Sequence, residues 1–352
     1  MPTPHSSRPQ AGFSVLELMV ALAVLLVLMI SIFSLMRDSM TISLTTYEMT
    51  DAQESLRAAH EYINRDLIVA GDGLRGINNV CVRQEFLTNF LTKNPATTPC
   101  LGGTVNLPLI QSDDDVPANT PVALTAPAVV VRSDPERTDR INILQLDPSF
   151  TPIPLAANAI TPSGRFITVP AGEVGRINVG EIYFITSSTG ATFGTVTAKD
   201  AVAGLITFDT GDAYGLNLAA DGGPISTVSG GGARPAALLR MRIIHYFIDE
   251  KGLLIRRVIG VARGVGHLDS VIAEHVRAVQ FRYVLNLPAA SGFAVQPVSQ
   301  LTTPEQQVAV RQVEVTVTTE TAHPLASGTR QPLSMTTTTS VRNLQFLETQ
   351  QP

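Results

Sequence analysis

The residues best placed to do chemistry stand at the N-terminal end: Gly12-Phe13 and, four residues on, Glu17. Between Phe13 and Met36 Glu17 is the only charged residue. A carboxylate within an apolar helix costs about 2.5–3.5 kcal/mol at a membrane centre and less near an end, so it calls for a positive partner. Residues 9–16 contain no Lys or Arg. Cleavage after Gly12 would supply one, the free α-amine of Phe13. The chemistry that such a cut would allow is pairing of this amine with the Glu17 carboxylate.

The remaining candidates are sparser. Cys81 and Cys100 are the only cysteines. Outside the cytoplasm they can pair, closing a loop of about 20 residues worth roughly 3 kcal/mol in the chain-entropy view; otherwise they are two buried thiols. No CxxC occurs, which leaves zinc and redox motifs unsupported. Asp113-Asp114-Asp115 offers oxygens of the kind Ca²⁺ takes, but the spacing fits no EF-hand and a solvated turn is the plainer reading. No metal or cofactor is expected. His5, His60, His245, His267, His275 and His323 are scattered, without an H-E-x-x-H, G-x-S-x-G or Cys/His zinc frame. His60 falls on the polar side of a helical pattern and reads as solvated. Gly230-Gly231-Gly232 lacks the Gly-Lys-Ser/Thr of a P-loop. No enzymatic activity is expected. With a net charge of −5 and 16% charged residues, the chain also lacks the basic field of a nucleic-acid binder.

These groups must be positioned by recognisable elements. Twenty-four apolar residues, Phe13–Met36, make a helix roughly 36 Å long, enough to cross a bilayer with some tilt. No Pro occurs from Phe13 until Pro95 and no Gly until Gly71. Ala52, Leu56, Ala59, Ile63 and Leu67 recur at steps of four and three, a helical stripe that Leu44 and Tyr47 extend backward. Asp51, Glu54, Arg57, Glu61 and Arg65 lie off it. One helix of roughly 87 Å is expected, ending at Gly71-Asp72-Gly73. Its second half must pack on something.

Residues 72–127 read as loop. Short β-branched runs follow at Ala128–Arg132, Arg140–Leu146, Phe166–Val169, Glu181–Thr186, Phe193–Thr197 and Leu205–Phe208. They suggest a β-rich insertion with a Gly-rich connection at 221–235. Leu238–Ile248 and Leu253–Gly260 flank the turn Asp249-Glu250-Lys251-Gly252 as a hairpin, with its buried face undecided. Val308–Thr319 and Leu333–Leu344 read as antiparallel strands, with Val313, Val315 and Val317 on one face.

Gly12, Phe13, Glu17 and the unbroken apolar helix together resemble the class III signal of type IV pilins and type II secretion pseudopilins. That resemblance implies a leader Met1–Gly12 removed by prepilin peptidase, N-methylation of Phe13, and Glu17 pairing with a neighbouring subunit's N-terminal amine. Arg65-Asp66-Leu67-Ile68-Val69-Ala70-Gly71 is similar to the helix ending of PilW-like minor pilins. Residues 271–283 and 340–344 resemble segments of the PilW and GspJ branches. The absence of Pro from the membrane half of the helix departs from many major pilins and leaves a kink there in doubt.

The expected fold is α+β: leader 1–12, pilin helix 13–71 (13–36 transmembrane), loop region 72–127, β-rich insertion and linker 128–235, and a C-terminal β-sheet 236–352. The resemblance implies a minor pilin at the initiation or tip of a type IV pilus. Its partners would be other minor and major pilins, prepilin peptidase, the inner membrane and the assembly platform. It would be a single-pass inner-membrane protein with a periplasmic head, then part of a pilus. A GspJ-like pseudopilin and a membrane-tethered adhesin or binding domain are the alternatives. An ordinary secretory signal fits less well, because its apolar region would be too long, would contain Glu17, and lacks an A-x-A site near Met36.

Overall fold

The computed structural model describes residues 12, 14–72, 74, 80–88, 99, 104–107, 109–116, 121–122, 129–130, 137–187, 190–217, 225, 228, 236–261, 266–289, 292–325 and 328–341. Helix α1 runs without interruption from Val15 to Ile68. Ser14 opens it in an extended conformation, and its side chain accepts the Glu17 backbone N–H at 3.2 Å. That satisfies one of the donors left over at a helix start. Beyond the C-cap Val69, Gly71 takes a positive φ of 71°, and its N–H donates to the Leu144 carbonyl at 2.8 Å. The helix therefore ends against a strand.

The strands β1 (Val80–Arg83), β2 (Thr104–Asn106), β3 (Ile110–Val116), β4 (Pro121–Val122), β5 (Val129–Val130), β6 (Thr138–Leu146) and β7 (Ile153–Leu155) come first. Next are β8 (Phe166–Thr168), β9 (Ile182–Ser187), β10 (Gly190–Thr195), β11 (Ala198–Asp200) and β12 (Leu205–Thr207). The long strands follow: β13 (Ala236–Ile248), β14 (Leu254–Ile259), β15 (His267–Ala273), β16 (Val276–Ala289), β17 (Gly292–Val298), β18 (Val310–Glu320) and β19 (Pro332–Ser340). The class is α+β, with mostly antiparallel sheets.

Strand β13 is the hub. It pairs with β14, β6, β7 and β9 within a ten-stranded sheet that also holds β15, β10, β1, β2 and β3. Strands from 72–127 and 128–235 are thus woven into one sheet with β13, so neither stretch stands apart. The reading of 72–127 as loop is corrected by β1, β2 and β3. Their alternation was hidden because β3 carries polar residues on both faces, Gln111, Ser112 and Asp113, all of them buried. The 221–235 connection lies almost wholly outside the described residues.

The undecided face of the 238–248 strand has a simple answer: both faces are buried. Met241, Ile243 and Phe247 enter one core with Leu144, Phe184, Phe193 and Ile259. Ile244, Tyr246 and Ile248 enter the other with Ile110, Ile141 and the helix. A strand covered on both sides loses the two-residue alternation.

A second sheet, ordered β17-β16-β18-β19, carries the helix. Val313, Val315 and Val317 are fully buried against Leu56, Ala59, Ile63 and Leu67, as their alternation requires. Ile63 is completely enclosed there. Ile63→Ala is expected to lower stability by about 2–5 kcal/mol through lost burial and a residual cavity, read by denaturant unfolding in detergent. A loss below about 1 kcal/mol would mean that the helix is not held by this stripe. Leu44 and Tyr47 do not extend the contact: both are exposed, 66% and 71%.

Candidate functional site

The N-terminal half of α1 is one part of the site. Among the described residues, every one from Val15 to Met40 is exposed. An 18-residue window there has a mean hydropathy of 2.9 and none of it is buried. A helix this long and apolar, left uncovered, has the length and composition of a single-pass membrane anchor. Glu17 stands in the first turn, where a carboxylate also interacts favourably with the positive end of the helix dipole. Gly12 is exposed just before it, and Phe13 lies outside the described residues.

The second part is the junction between helix and head. Polar side chains flank the apolar stripe and bolt it down. His60 is buried, with Nδ1 2.9 Å from Thr337 Oγ1 and Nε2 3.1 Å from the Met335 carbonyl. The expectation that His60 is solvated is therefore wrong: it sits one residue beyond Ala59, at the edge of the stripe that β19 covers. Its burial disfavours the charged ring and lowers its pKa. Asn64 joins Thr337 and Thr339 of the same strand.

Asp66, which periodicity did not single out, is 3% exposed. It accepts the Tyr246 hydroxyl at 2.6 Å and the Arg256 Nε and Nη2 at 2.6 and 3.2 Å. Higher on the helix, Glu48 takes the His323 backbone N–H at 3.1 Å and lies 2.8 Å from its Nδ1. These contacts lower the Glu48 pKa. The junction fixes the angle at which the bare half-helix leaves the head.

The other candidates do not converge on it. His245 is buried in the middle of the sheet, opposite Asn142 on β6 and Arg257 on β14. Burial, with the charges of Arg140 and Arg257 beside it, holds its pKa well below the usual histidine value. Folded His245 thus stays neutral while the unfolded chain takes up a proton below about pH 6.5. Its contribution is present above that pH and is lost as pH falls, by up to about 1.4 kcal/mol per unit. We expect His245→Leu to unfold with a shallower loss of stability between pH 7 and 5 than the unsubstituted chain; parallel profiles would rule this out. His267 is 3.9 Å from Asp269, and His275 occupies a turn at φ 54°. His5 lies outside the described residues. A cleft of about 540 Å³ is lined by Arg240, Arg242, Arg256, Asp147 and Glu181. Its guanidinium groups are already engaged by carboxylates, Arg240 and Arg242 by Asp147 and Arg256 by Asp66.

Cys81 sits on β1; Cys100 lies outside the described residues, and so does the pairing expected between them. The acidic triplet is not a simple solvated turn. Asp113 forms a buried ion pair with Arg140 at 2.6 Å, while Asp114 and Asp115 fold back towards Asp139. Burial pushes the Asp139 carboxyl up to about 7 against the lowering effect of two backbone N–H groups, from Phe281 and Asp115.

Residues 7–33 match the family model for the prokaryotic N-terminal methylation motif. No curated protein and no solved structure gives a match to the chain. The motif is a type IV pilin-like signal, the mark of precursors that prepilin peptidase cleaves and methylates and that associate with other pilins. The match spans the Gly12-Phe13 step, Glu17 and most of the exposed apolar helix.

Proposed function

We propose that this chain is a minor pilin of a type IV pilus, cleaved between Gly12 and Phe13, N-methylated on Phe13, and active at initiation or at the tip. The observation that carries the reading is the continuity of α1. Its methylation-motif half is bare over Val15–Met40, and the same helix is clamped to the head from Ala52 to Leu67. Such a helix waits in the bilayer as a single-pass anchor and passes into a bundle of equivalent helices on assembly. The head favours a minor role: among the described residues it holds four sheets, of ten, four, three and two strands, a bulky load for every position of a uniform lattice. Its role is assembly, not catalysis, with a periplasmic head before assembly and pilus residence afterwards. The PilW-like helix ending, Arg65 to Gly71, supports that branch over a GspJ-like pseudopilin.

The test is the intact mass and N-terminal peptide of the protein from its own host's membranes. Loss of Met1–Gly12 with one methyl on Phe13 is expected. An intact N-terminus in a host with active prepilin peptidase would overturn the reading and leave a membrane-tethered binding domain. The same mass reports the proposed Cys81–Cys100 bridge, which makes the protein lighter by the pair of hydrogens lost on oxidation.

A further inference from the structure

We propose that the cleft beyond the C-terminal end of α1 binds an acidic, partly apolar peptide segment, whose carboxylates Arg242 and Arg256 take on either side of a floor formed by Val258 and Val261. This goes beyond the assembly role and does not depend on it.

The strand register builds the cleft. The last turn of α1 is tied to Tyr246 and Arg256 through Asp66. The chain then leaves the helix beside the sheet: the Gly71 N–H donates to the Leu144 carbonyl at 2.8 Å, and the Leu146 N–H to the Asp72 carbonyl at 3.4 Å. The cleft opens just past this exit, around Asp147, Arg240 and Arg242, with a volume of about 540 Å³. That is the size that takes a small ligand or a few residues of a chain. Along β13 and β14 the sheet face reads Arg242, then Ile244 opposite Val258, then Tyr246 opposite Arg256. The two arginines thus stand on either side of Val258. Val261 and Leu268 continue the apolar lining, and Leu268 is exposed at its rim.

The charged groups of the cleft divide by burial. Its carboxylates are buried and taken from within the head. Asp147 is held by Arg240, Arg242 and the Ser149 hydroxyl at 2.6, 2.9 and 2.7 Å. Glu181 accepts the Tyr183 hydroxyl at 2.5 Å and the Asn178 side-chain amide at 3.1 Å. The guanidinium groups are what the cleft shows to solvent: Arg242 is 33% exposed where its partner Asp147 is 1%. A guanidinium carries five N–H donors. Arg242 engages Asp147 through Nη2, and Arg256 engages Asp66 through Nε and Nη2. Arg242 Nε and Nη1 and Arg256 Nη1 therefore keep no partner among the described residues. The internal ion pairs fix both groups in place and leave donors over. Guanidinium groups held in this way bind carboxylates by short, charge-assisted bonds, and Arg clusters are how acidic motifs are read. A lone small anion meets one of the two groups at a time. A chain with carboxylates on both sides of an apolar side chain meets both, and the floor between them. A sugar ring would call for an aromatic platform, and among the described residues no aromatic side chain lines the cleft.

The experiment uses the full-length protein in detergent and a short fluorescein-labelled peptide alternating glutamate and valine, read by fluorescence anisotropy. Saturable binding is expected, weakening as salt is raised because partly exposed charges are screened. The same peptide with glutamine in place of glutamate should bind at least about tenfold more weakly. Arg242→Gln should lower the affinity by about tenfold to a hundredfold, while Asp147 keeps Arg240 and Ser149. Leu268→Asp leaves every ion pair of the cleft intact and sets a negative charge on its rim. It should weaken the peptide by about tenfold or more, with little change in unfolding temperature. Polygalacturonate, an acidic chain without apolar side groups, should compete poorly. No saturable binding, equal binding of the glutamine peptide, or binding that survives both substitutions would overturn the site. Competition by polygalacturonate as strong as by the unlabelled peptide would overturn its assignment to a peptide.

Discussion

Glu17→Ala is expected to leave the protein inserted in the membrane and to remove it from sheared filaments. Glu17 is exposed on a bare helix, and among the described residues it has no ion-pair partner within the chain. Alanine removes the cost of holding a carboxylate among lipids, so anchoring should not suffer. On the proposed function, what it removes is the pairing of that carboxylate with a neighbouring subunit's terminal amine in a dry helix bundle. Breaking a desolvated pair costs about 3–5 kcal/mol when one partner stays behind, and each 1.4 kcal/mol is tenfold in occupancy. Incorporation should therefore fall by about a hundredfold or more, measured by quantitative blotting of sheared filaments against membranes. Normal incorporation would show that Glu17 does not set the register.

Asp66→Ala should be the most damaging single change to the head. It deletes an acceptor shared by the buried Tyr246 hydroxyl and the Arg256 guanidinium, which is only 15% exposed. The remaining guanidinium would be a nearly buried charge without its counter-ion, for which the expected loss is about 3–5 kcal/mol. Asp66→Asn, which keeps an acceptor but not the charge, should fall between. Glu61→Ala, on the exposed side of the same helix, should change stability by less than about 0.5 kcal/mol. The readout is denaturant unfolding in detergent. Equal effects at positions 61 and 66 would mean that the helix–head junction is not held by this network.

Much of this molecule could be read without coordinates. A helix without Pro or Gly between its ends is a local property, and so is a run of 24 residues carrying one charge. The strands β6, β9 and β12 fell close to their expected bounds because each is short, β-branched and closed by turn formers. The 249–252 turn was legible too: Asp249 Oδ1 accepts the N–H groups of Lys251 and Leu253, and Gly252 supplies φ 76°.

Other features depended on partners far away in the chain. His60 and Asp66 looked like ordinary polar helix residues; strands some 180–280 positions later make them buried anchors. Leu44 and Tyr47 continue the periodic stripe in sequence, yet both stay exposed. The Asp113–Asp115 run gave no hint that a bulge would split it, sending Asp113 to Arg140 and its two neighbours to Asp139. Sequence by itself determined the signal, the anchor and the helical spine, because these follow from local composition and period. Tertiary structure alone decided which polar groups are buried and which charges meet, because burial and electrostatic pairing belong to distances between strands that the chain order does not contain.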